Sequence, residues 1–240
     1  MLLAQLSDPH VDEDDPAAAA ALERAVRAVR ELRPAPDAVL VTGDVAEHGA
    51  PGEYARAREL LGPVHVLAGN HDDPGALRAA FGAGDDIRCA GYRLLLCETR
   101  VAGRDDGRLD VERLAARLAQ DGDTPTIVAM HHPPVLVGID ALDAIGLPEE
   151  DRQALAAVLT KAPQVRRVIA GHVHRSASGV LGGRGVVTCG STYRQARLEL
   201  EGDALELTPD EPAGYALHFD VGGELVSHAV SLGASAKRFA

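Results

Sequence analysis

The sequence predicts an α/β protein, and three observations support that class. Apolar, β-branched runs alternate along the chain with alanine-rich segments of helical period, the pattern typical of α/β folds. The apolar fraction of 46% and the charged fraction of 25% are those of an ordinary globular protein. A length of 240 residues suits one domain with a substantial core. We therefore expect a single domain over residues 1–240.

The N-terminal elements follow in order. Residues 2–7 form an apolar first strand. Asp15-Pro16 fits a helix N-cap followed by proline at the first helical position, and apolar residues follow at spacings of three and four. This helix should end before Pro34. The next predicted elements are a strand at 38–42, a helix at 51–61, a strand at 63–68 and a helix at 74–81.

The second half continues the alternation and then changes. A strand pair is predicted around Gly91, at 87–89 and 93–97. It is followed by a helix at 108–120, a strand at 126–130, a helix at 148–161 and a strand at 165–170. Over residues 178–230 short runs separated by glycine turns predict antiparallel hairpins. One of these strands, Tyr215 to Val221, could pair across a homo-oligomer such as a dimer.

Charge and cysteine content limit the protein's surroundings. The first residues lack a basic segment and a cleavage pattern, and no stretch is long enough to span a bilayer. Three widely spaced cysteines predict neither disulfides nor a thiolate zinc site, so we expect a soluble cytoplasmic protein without a membrane partner. A net charge of −12 disfavours binding to long nucleic acid, whereas small anionic substrates remain acceptable if metal ions reverse the local charge.

Five apolar runs end with a residue that can bind a metal. The residues are Asp8, Asp44, Asn70, His131 and His172. Because ligands of open α/β sheets bind outside the carboxyl ends of the strands, these side chains should converge at one edge.

Two of the runs carry a second donor, giving Asp8-Pro9-His10 and His172-Val173-His174. In extended chain, residues i and i+2 point to the same side, and a residue before proline favours extended backbone. The complete set is two carboxylates, one amide oxygen and four imidazoles. It suits iron, manganese, zinc or cobalt better than calcium, and seven donors exceed the needs of one tetrahedral ion. We predict two metal ions.

The sequence resembles the calcineurin-like metallophosphoesterases. Their five blocks occur here in order, within residues 8–174, as Asp8-Pro9-His10, Gly43-Asp44 with Gly49, Gly69-Asn70-His71-Asp72, His131-His132-Pro133-Pro134 and Gly171-His172-Val173-His174. Within that family the chain looks most like the class III cyclic-nucleotide and glycerophosphodiester phosphodiesterases. The stretch at residues 133–147 is also similar to theirs. The resemblance implies a four-layer αββα sandwich of two mixed β-sheets flanked by helices, with a dinuclear metal site at the sheet edge.

The resemblance also implies roles for individual residues. One metal would be held by Asp8, His10 and His174, the other by Asn70, His131 and His172, with Asp44 bridging both. His71 would face the substrate phosphate beside Asn70 and protonate the leaving group, so that His71 and Asp44 are the catalytic residues. Glu47 stands where the family often has aspartate and lies outside the ligand set.

The implied reaction is hydrolysis of a small phosphodiester by a metal-bridging hydroxide. Two cations roughly 3.5 to 4 Å apart lower the pKa of a shared water and clamp the phosphoryl oxygens. A 3′,5′-cyclic nucleotide is the first expected substrate and a glycerophosphodiester the second. The alternatives are a broad-specificity phosphomonoesterase, a metal-poor scaffold on the same fold, and a nuclease, which the acidic charge and few aromatic residues disfavour.

Other residues keep two interpretations at this stage. His132 should support the site without ligating a metal, and His48 is either a rim contact or a solvated residue. Residues 133–147 form either a lid or substrate wall, or a packing or oligomer contact. Residues 189–192 either touch substrate or pack a strand end. The histidines His65, His218 and His228 are expected to be structural or surface residues.

Overall fold

A computed structural model describes residues 1–233, so the last seven residues of the predicted domain lie outside the described part. The strands are β1 (Leu2–Leu6), β2 (Ala38–Thr42), β3 (His65–Leu67), β4 (Asp86–Cys89), β5 (Tyr92–Cys97), β6 (Thr126–Met130), β7 (Val165–Ala170), β8 (Ser178–Leu181), β9 (Arg184–Thr188), β10 (Gln195–Ala196), β11 (Leu207–Thr208), β12 (Gly214–Val221) and β13 (Glu224–Ser231). The helices are α1 (Pro16–Arg30), α2 (Pro51–Leu61), α3 (Pro74–Phe81), α4 (Val111–Ala119), α5 (Asp140–Asp143) and α6 (Glu149–Thr160).

Two mixed sheets form the centre of the molecule. The first has the order β13-β12-β1-β2-β3, in which β1, β2 and β3 are parallel and β12 and β13 are antiparallel. The second has the order β4-β5-β6-β7-β9-β8, with a parallel centre and antiparallel outer strands. The pair β10 and β11 forms a small separate ribbon.

Alternation along the strands divides the core into layers. In β1, Leu3 faces the second sheet, whereas Ala4 and Leu6 pack under α1 and α2. Between the sheets Leu3 and Leu40 meet apolar side chains of β5, β6 and β7. A third apolar cluster lies between the second sheet and helices α4 and α6. The predicted αββα sandwich is confirmed.

Most predicted elements agree with the structure, and the differences have local causes. The predicted bounds of β2, α2, α3, β6 and β7 are those observed. The helix predicted at 108–120 begins later, at Val111, because Asp110 caps it and the Leu109 amide donates to the Asp151 carboxylate. The four-residue helix α5 was not predicted.

The C-terminal strands depart from the predicted set of antiparallel hairpins. β8 and β9 do form a hairpin, but β9 also lies parallel to β7 inside the second sheet. The suggestion that Tyr215 to Val221 pairs across a dimer is wrong, because β12 already has β1 on one side and β13 on the other. Both edges of that strand are used within the chain.

Among residues 1–233, no helix has the length and apolar character needed to cross a lipid bilayer.

Candidate metal centre

The predicted donors lie together where the two sheets meet. Each of the five strands β1, β2, β3, β6 and β7 ends within three residues of a donor. The structure brings Asp8, Asp44 and Asn70 from the first sheet against His131 and His172 from the second, with His10 and His174 beside them. The convergence predicted from the strand ends is therefore present.

The backbone at these donors is not extended, contrary to the argument from the i and i+2 spacing. The positive φ angles are 49° at Asp8, 45° at His10, 48° at Asp44, 70° at His172 and 48° at His174. Left-handed conformations are uncommon for residues other than glycine, and they gather at functional sites when the surroundings hold them. The donor pairs converge through sharp turns after each strand, and Pro9 does not keep Asp8 extended.

Two glycines permit the close approach of the donor loops. A Cβ at Gly69 would lie 2.1 Å from Asp44 Oδ1, and one at Gly171 would lie 2.1 Å from Ser7 Oγ and 3.1 Å from Asp8 Oδ2. Neither position has room for a side chain unless a donor carboxylate or its neighbour moves. Gly69 and Gly171 therefore allow the neighbouring loops to pack closely around the Asp44 and Asp8 carboxylates.

Each of the four imidazoles in the predicted metal-ligand set forms a hydrogen bond through one ring nitrogen to an oxygen atom outside that set. The His10 Nδ1–H donates to Glu47 Oε2 at 2.6 Å, and the His131 Nδ1–H donates to the Thr42 carbonyl at 2.8 Å. In the neutral ring the other nitrogen carries a lone pair, and on both rings it is Nε2 that faces the centre. Such outer contacts fix the tautomer and orientation of a metal-binding histidine.

The remaining two imidazoles follow the same rule. The His174 Nδ1–H donates to the Arg194 carbonyl at 2.8 Å, which leaves Nε2 for the centre. The His172 ring is reversed, because its Nε2–H donates to the Ile145 carbonyl at 3.1 Å and leaves Nδ1 for the centre.

The free lone pairs form two groups. His10 Nε2 and His174 Nε2 are 3.0 Å apart, and Asp8 completes their group within 4.8 Å. Asn70 Oδ1 lies 2.9 Å from His131 Nε2 and 3.1 Å from His172 Nδ1. Both groups contain acceptors that face one another. A cation satisfies such an arrangement, so the residues present fit two metal ions.

Asp44 lies between the two groups. Its Oδ2 is 3.6 Å from His10 Nε2 and 3.3 Å from His131 Nε2. Burial alone would raise the pKa of this carboxyl, but the contact with His131 and the nearby His10 and His71 outweigh burial and hold the pKa well below its usual range. Asp44 is therefore ionised, as a carboxylate shared by two cations must be.

The imidazole pKa values differ within each group, because the pKa is raised at His10 and His131 and lowered at His174 and His172. Burial lowers the pKa of His172 and His174, so both rings are neutral and free to ligate. Burial would also lower the pKa of His131, but the charge and hydrogen bond of Asp44 together with the charge of Asp8 and the Thr42 carbonyl outweigh burial and raise that pKa to about 9. A metal at this ring must therefore displace a proton.

His71 is adjacent to the two groups but is oriented differently. Its amide donates to Asp44 Oδ1 at 2.9 Å, and its Nδ1–H donates to the Glu47 carbonyl at 2.8 Å. The side chain is 35% exposed and its Nε2 is left for the pocket. Glu47 thus holds His10 with its carboxylate and His71 with its main chain, a role that its place outside the ligand set did not indicate.

Asp72 supports the donor loops from below. Its buried carboxylate accepts hydrogen bonds from the amides of Val45, Ala46 and Gly69 and from the Tyr54 hydroxyl, at 2.9 to 3.2 Å. Burial, with the charge of Asp44, raises the pKa of Asp72 to about 6. The next residue, Asp73, caps α3.

The residues with two interpretations can now be described. His132 accepts a hydrogen bond from the Thr99 hydroxyl at 2.8 Å and donates to the Asp105 carbonyl at 2.9 Å, so both ring nitrogens are used away from the centre. His48 has a largely exposed side chain and donates to Glu53. Residues 189–192 are buried, and the Ser191 hydroxyl donates to the Asp8 carbonyl at 2.6 Å. That segment supports the Asp8 loop.

A pocket of about 450 Å³ opens above the donors. Residues 133–147 pack against Val173 and Ala196 and give the pocket one wall residue, Ile145. The C-terminal half supplies side chains that no sequence block indicated, namely Tyr193, Arg194, Leu205 and Leu207. A larger cavity of about 810 Å³ between α3 and α4 contains none of the seven donors.

Comparisons with known proteins identify relatives of this chain. The model of the calcineurin-like phosphoesterase family matches residues 1–176. A probable cyclic nucleotide phosphodiesterase of Synechococcus sp. is 35% identical over 230 residues, covering 87% of this chain and 88% of that protein. A probable glycerophosphodiester phosphodiesterase of Arcobacter nitrofigilis is 30% identical over 242 residues, with coverages of 91% and 88%.

The fold has solved counterparts. The crystal structure of a dimetal phosphatase from Danio rerio superposes with a TM-score of 0.70 and 14% identity, covering 96% of both chains. At that identity the match supports the fold alone. Calcineurin-like phosphoesterases use a dinuclear metal site, and this chain has clustered His and Asp side chains that could hold metal ions. The chain belongs to the calcineurin-like phosphoesterase family, a family of hydrolases.

Proposed function

We propose that the chain hydrolyses small phosphodiesters with two bound metal ions, and that 3′,5′-cyclic nucleotides are its substrates. One observation carries the proposal: two groups of facing acceptors lie on either side of Asp44 at the floor of an open pocket. The names of the two relatives, both diesterases, support a diester over a monoester. A glycerophosphodiester is the second candidate because one relative bears that name.

Seven residues would hold the metals. One ion would be bound by Asp8, His10 and His174, the other by Asn70, His131 and His172, and Asp44 would contact both. When bound, the two cations supply Lewis acidity, which neutralises the diester and activates water. The mixed oxygen and nitrogen donors favour iron, manganese, zinc or cobalt.

His71 and Asn70 would contact the substrate phosphate. Because the His71 Nδ1–H is held by the Glu47 carbonyl, the atom that can give a proton to the leaving alkoxide is Nε2, on the pocket side, and it does so from the imidazolium form, in which both nitrogens carry a proton. The Asp44 carboxylate accepts from the His71 amide and so fixes the position of that ring relative to the centre.

The chain's setting is part of the proposal. The three cysteines are free, in keeping with a reducing compartment, and we propose the cytoplasm. A small diester is the expected partner, and a homo-oligomer stays a prediction.

Hydrolysis by metal-stripped protein, with and without added Mn²⁺, tests the proposal. The panel contains bis(p-nitrophenyl) phosphate, p-nitrophenyl phosphate, 3′,5′-cAMP and glycerophosphocholine. We expect Mn²⁺-dependent turnover of diesters, with cAMP ahead of glycerophosphocholine. The reverse order would favour the second candidate, and a dominant monoester would reject the diesterase.

A matched pair of variants separates the metal centre from general damage. Asp44→Asn should abolish turnover, because the bridging position loses its charge. Asp203→Asn, in an exposed turn, should leave turnover unchanged. Folded, metal-loaded protein that hydrolyses no ester would reject the enzymatic proposal and favour a scaffold.

A further inference from the structure

One cationic side chain stands at the mouth of the metal pocket. Within the described part of the chain, Arg194 is the one arginine or lysine among the residues that line it. The other charged groups there include the carboxylates of Asp12, Asp15, Glu47 and Asp105. A lone guanidinium in an acidic rim needs a reason for its position.

Arg194 is held in place by its neighbours. Its guanidinium carbon lies 4.8 Å from the centroid of the Tyr193 ring, and its Nη2 lies 3.4 Å from Asp15 Oδ2. The Tyr193 hydroxyl donates to the same Asp15 oxygen at 2.5 Å. Asp15 is itself fixed, because its Oδ1 caps α1 by accepting from the Ala17 amide at 3.0 Å. These contacts to Asp15 therefore hold the stacked Tyr193 and Arg194 side chains in position.

A main-chain contact also links the Tyr193 and Arg194 pair to a proposed metal ligand. The Arg194 carbonyl accepts the hydrogen bond from His174 Nδ1. The Arg194 side chain therefore begins at a residue whose main chain contacts His174, a proposed metal ligand. A substrate group that extends outward from the phosphate would meet this side chain.

Aliphatic side chains complete the pocket. They are Ile145, Leu205 and Leu207, and the two leucines belong to the segment around β11, with 44% and 36% of their surface exposed. The pocket thus combines a guanidinium stacked on a phenol ring with aliphatic surface. This combination suits a group that is flat and partly apolar.

A nucleobase has those properties. Guanidinium groups stack on the faces of bases, and every base has a π-face and an apolar edge. A glycerol group has no flat face, and a quaternary ammonium group would meet the positive charge of Arg194. We propose that Arg194, stacked on Tyr193, is the specificity residue that binds the base of a nucleotide substrate. This inference rests on the proposed function for the phosphate site.

Equilibrium binding tests the inference without turnover. Calorimetry would compare 5′-AMP with ribose 5-phosphate on Mn²⁺-loaded protein, since these ligands differ only in the base. The wild-type protein should bind 5′-AMP about tenfold more tightly, within the range that stacking on one side chain provides. In Arg194→Ala the ratio of the two affinities should fall to about one or two.

Arg194→Lys separates stacking from charge, because lysine keeps the charge and the main-chain contact with His174 but loses the plane. The ratio should fall as it does in Arg194→Ala. Arg197→Ala, in the same segment and paired with Glu206 on the surface, should keep the wild-type ratio. Bound metal should be equal in all variants.

Two results would overturn the inference: a wild-type ratio near one, or a wild-type ratio retained by Arg194→Lys. Turnover of thymidine 5′-(p-nitrophenyl phosphate) against methyl p-nitrophenyl phosphate gives the kinetic counterpart, since both release the same group. If neither diester is hydrolysed while the binding ratio behaves as expected, the proposed function fails and the base site stands.

Discussion

At the scale of single residues, Glu47 shows how one side chain can orient another that is a proposed metal ligand. Its carboxylate lies 2.6 Å from His10 Nδ1 and turns the opposite nitrogen toward the centre. Carboxylate partners of this kind orient the imidazole and raise its basicity toward a metal.

Replacing Glu47 should weaken metal binding. In Glu47→Ala we expect the affinity for Mn²⁺ to fall about 10- to 100-fold, the usual cost of removing such a partner. The main-chain carbonyl that holds His71 is kept in this variant. Competition with a chelating dye measures the affinity. Glu59→Ala, exposed on α2, is the control, and equal affinities in the two variants would argue against the role.

Gly69 gives a second residue-scale prediction. A Cβ there would lie 2.1 Å from Asp44 Oδ1, so Gly69→Ala must displace the carboxylate or the loop. We expect a loss of about 1 to 3 kcal/mol in the free energy of unfolding, together with reduced diester turnover. Urea titration and kinetics measure both. At Gly84 nothing lies within 4 Å of an added Cβ, so Gly84→Ala is the matched control; a similar loss there would remove the steric explanation.

At the scale of elements, a polar contact joins three strands of the first sheet. His218 on β12 donates from Nε2 to Gln5 Oε1 on β1 at 2.9 Å and accepts at Nδ1 from the Ser227 hydroxyl on β13 at 2.8 Å. Gln5 also donates to the Ala170 carbonyl of the second sheet at 2.9 Å. This network requires a neutral imidazole, and burial lowers the pKa of His218 to about 3.

The network predicts a pH dependence of stability. Between a folded pKa of about 3 and an unfolded pKa near 6.5, the unfolded chain binds a proton that the folded chain does not. The stability that the neutral His218 contributes to the folded state is complete above pH 6.5 and is lost as the pH falls below 6.5. From pH 7 to pH 5 the loss should be about 2 kcal/mol. Urea titrations of wild type and His218→Gln should show this extra loss in the wild type alone; parallel curves would contradict it.

The same elements show what the sequence could predict and what it could not. The bounds of α2 and α3 followed from a proline at the first helical position, because that cue is local. The parallel place of β9 beside β7 was missed, since its local glycine turn indicates a hairpin and the second partner is distant in sequence.

The candidate site divides in the same way. Its donors were predictable because each follows an apolar strand, but their left-handed backbone was not, since it depends on surrounding loops. Tyr193 and Arg194 reach the pocket by tertiary folding alone and carry no spacing cue. In the sequence these two residues are an aromatic and a basic residue after the segment 189–192, and nothing there indicates that they line a pocket.

At the scale of the whole molecule, each proposed metal is bound from both sheets. Asp8 and His10 come from the first sheet and His174 from the second, while Asn70 faces His131 and His172 across the same boundary. The metals would therefore join the sheets. We propose that the chain unfolds as one domain for this reason.

Metal removal tests that proposal. Mn²⁺ at about 100 times its dissociation constant should add about 2.7 kcal/mol to the stability of the folded state. Scanning calorimetry should show one transition that moves to higher temperature with Mn²⁺ in the wild type and moves little in Asp44→Asn. Two separate transitions, with only one sensitive to Mn²⁺, would contradict the single domain.

The pairing of β1 with β12 has a consequence for biosynthesis. β1 leaves the ribosome well before β12, its antiparallel neighbour, because most of the described sequence separates the two strands. Until then one edge of β1 has no permanent partner, and exposed strand edges can pair with other chains. A nascent chain that already contains every metal donor is thus still vulnerable to aggregation, and chaperone binding to the N-terminal strand should persist until residues 214–221 leave the exit tunnel.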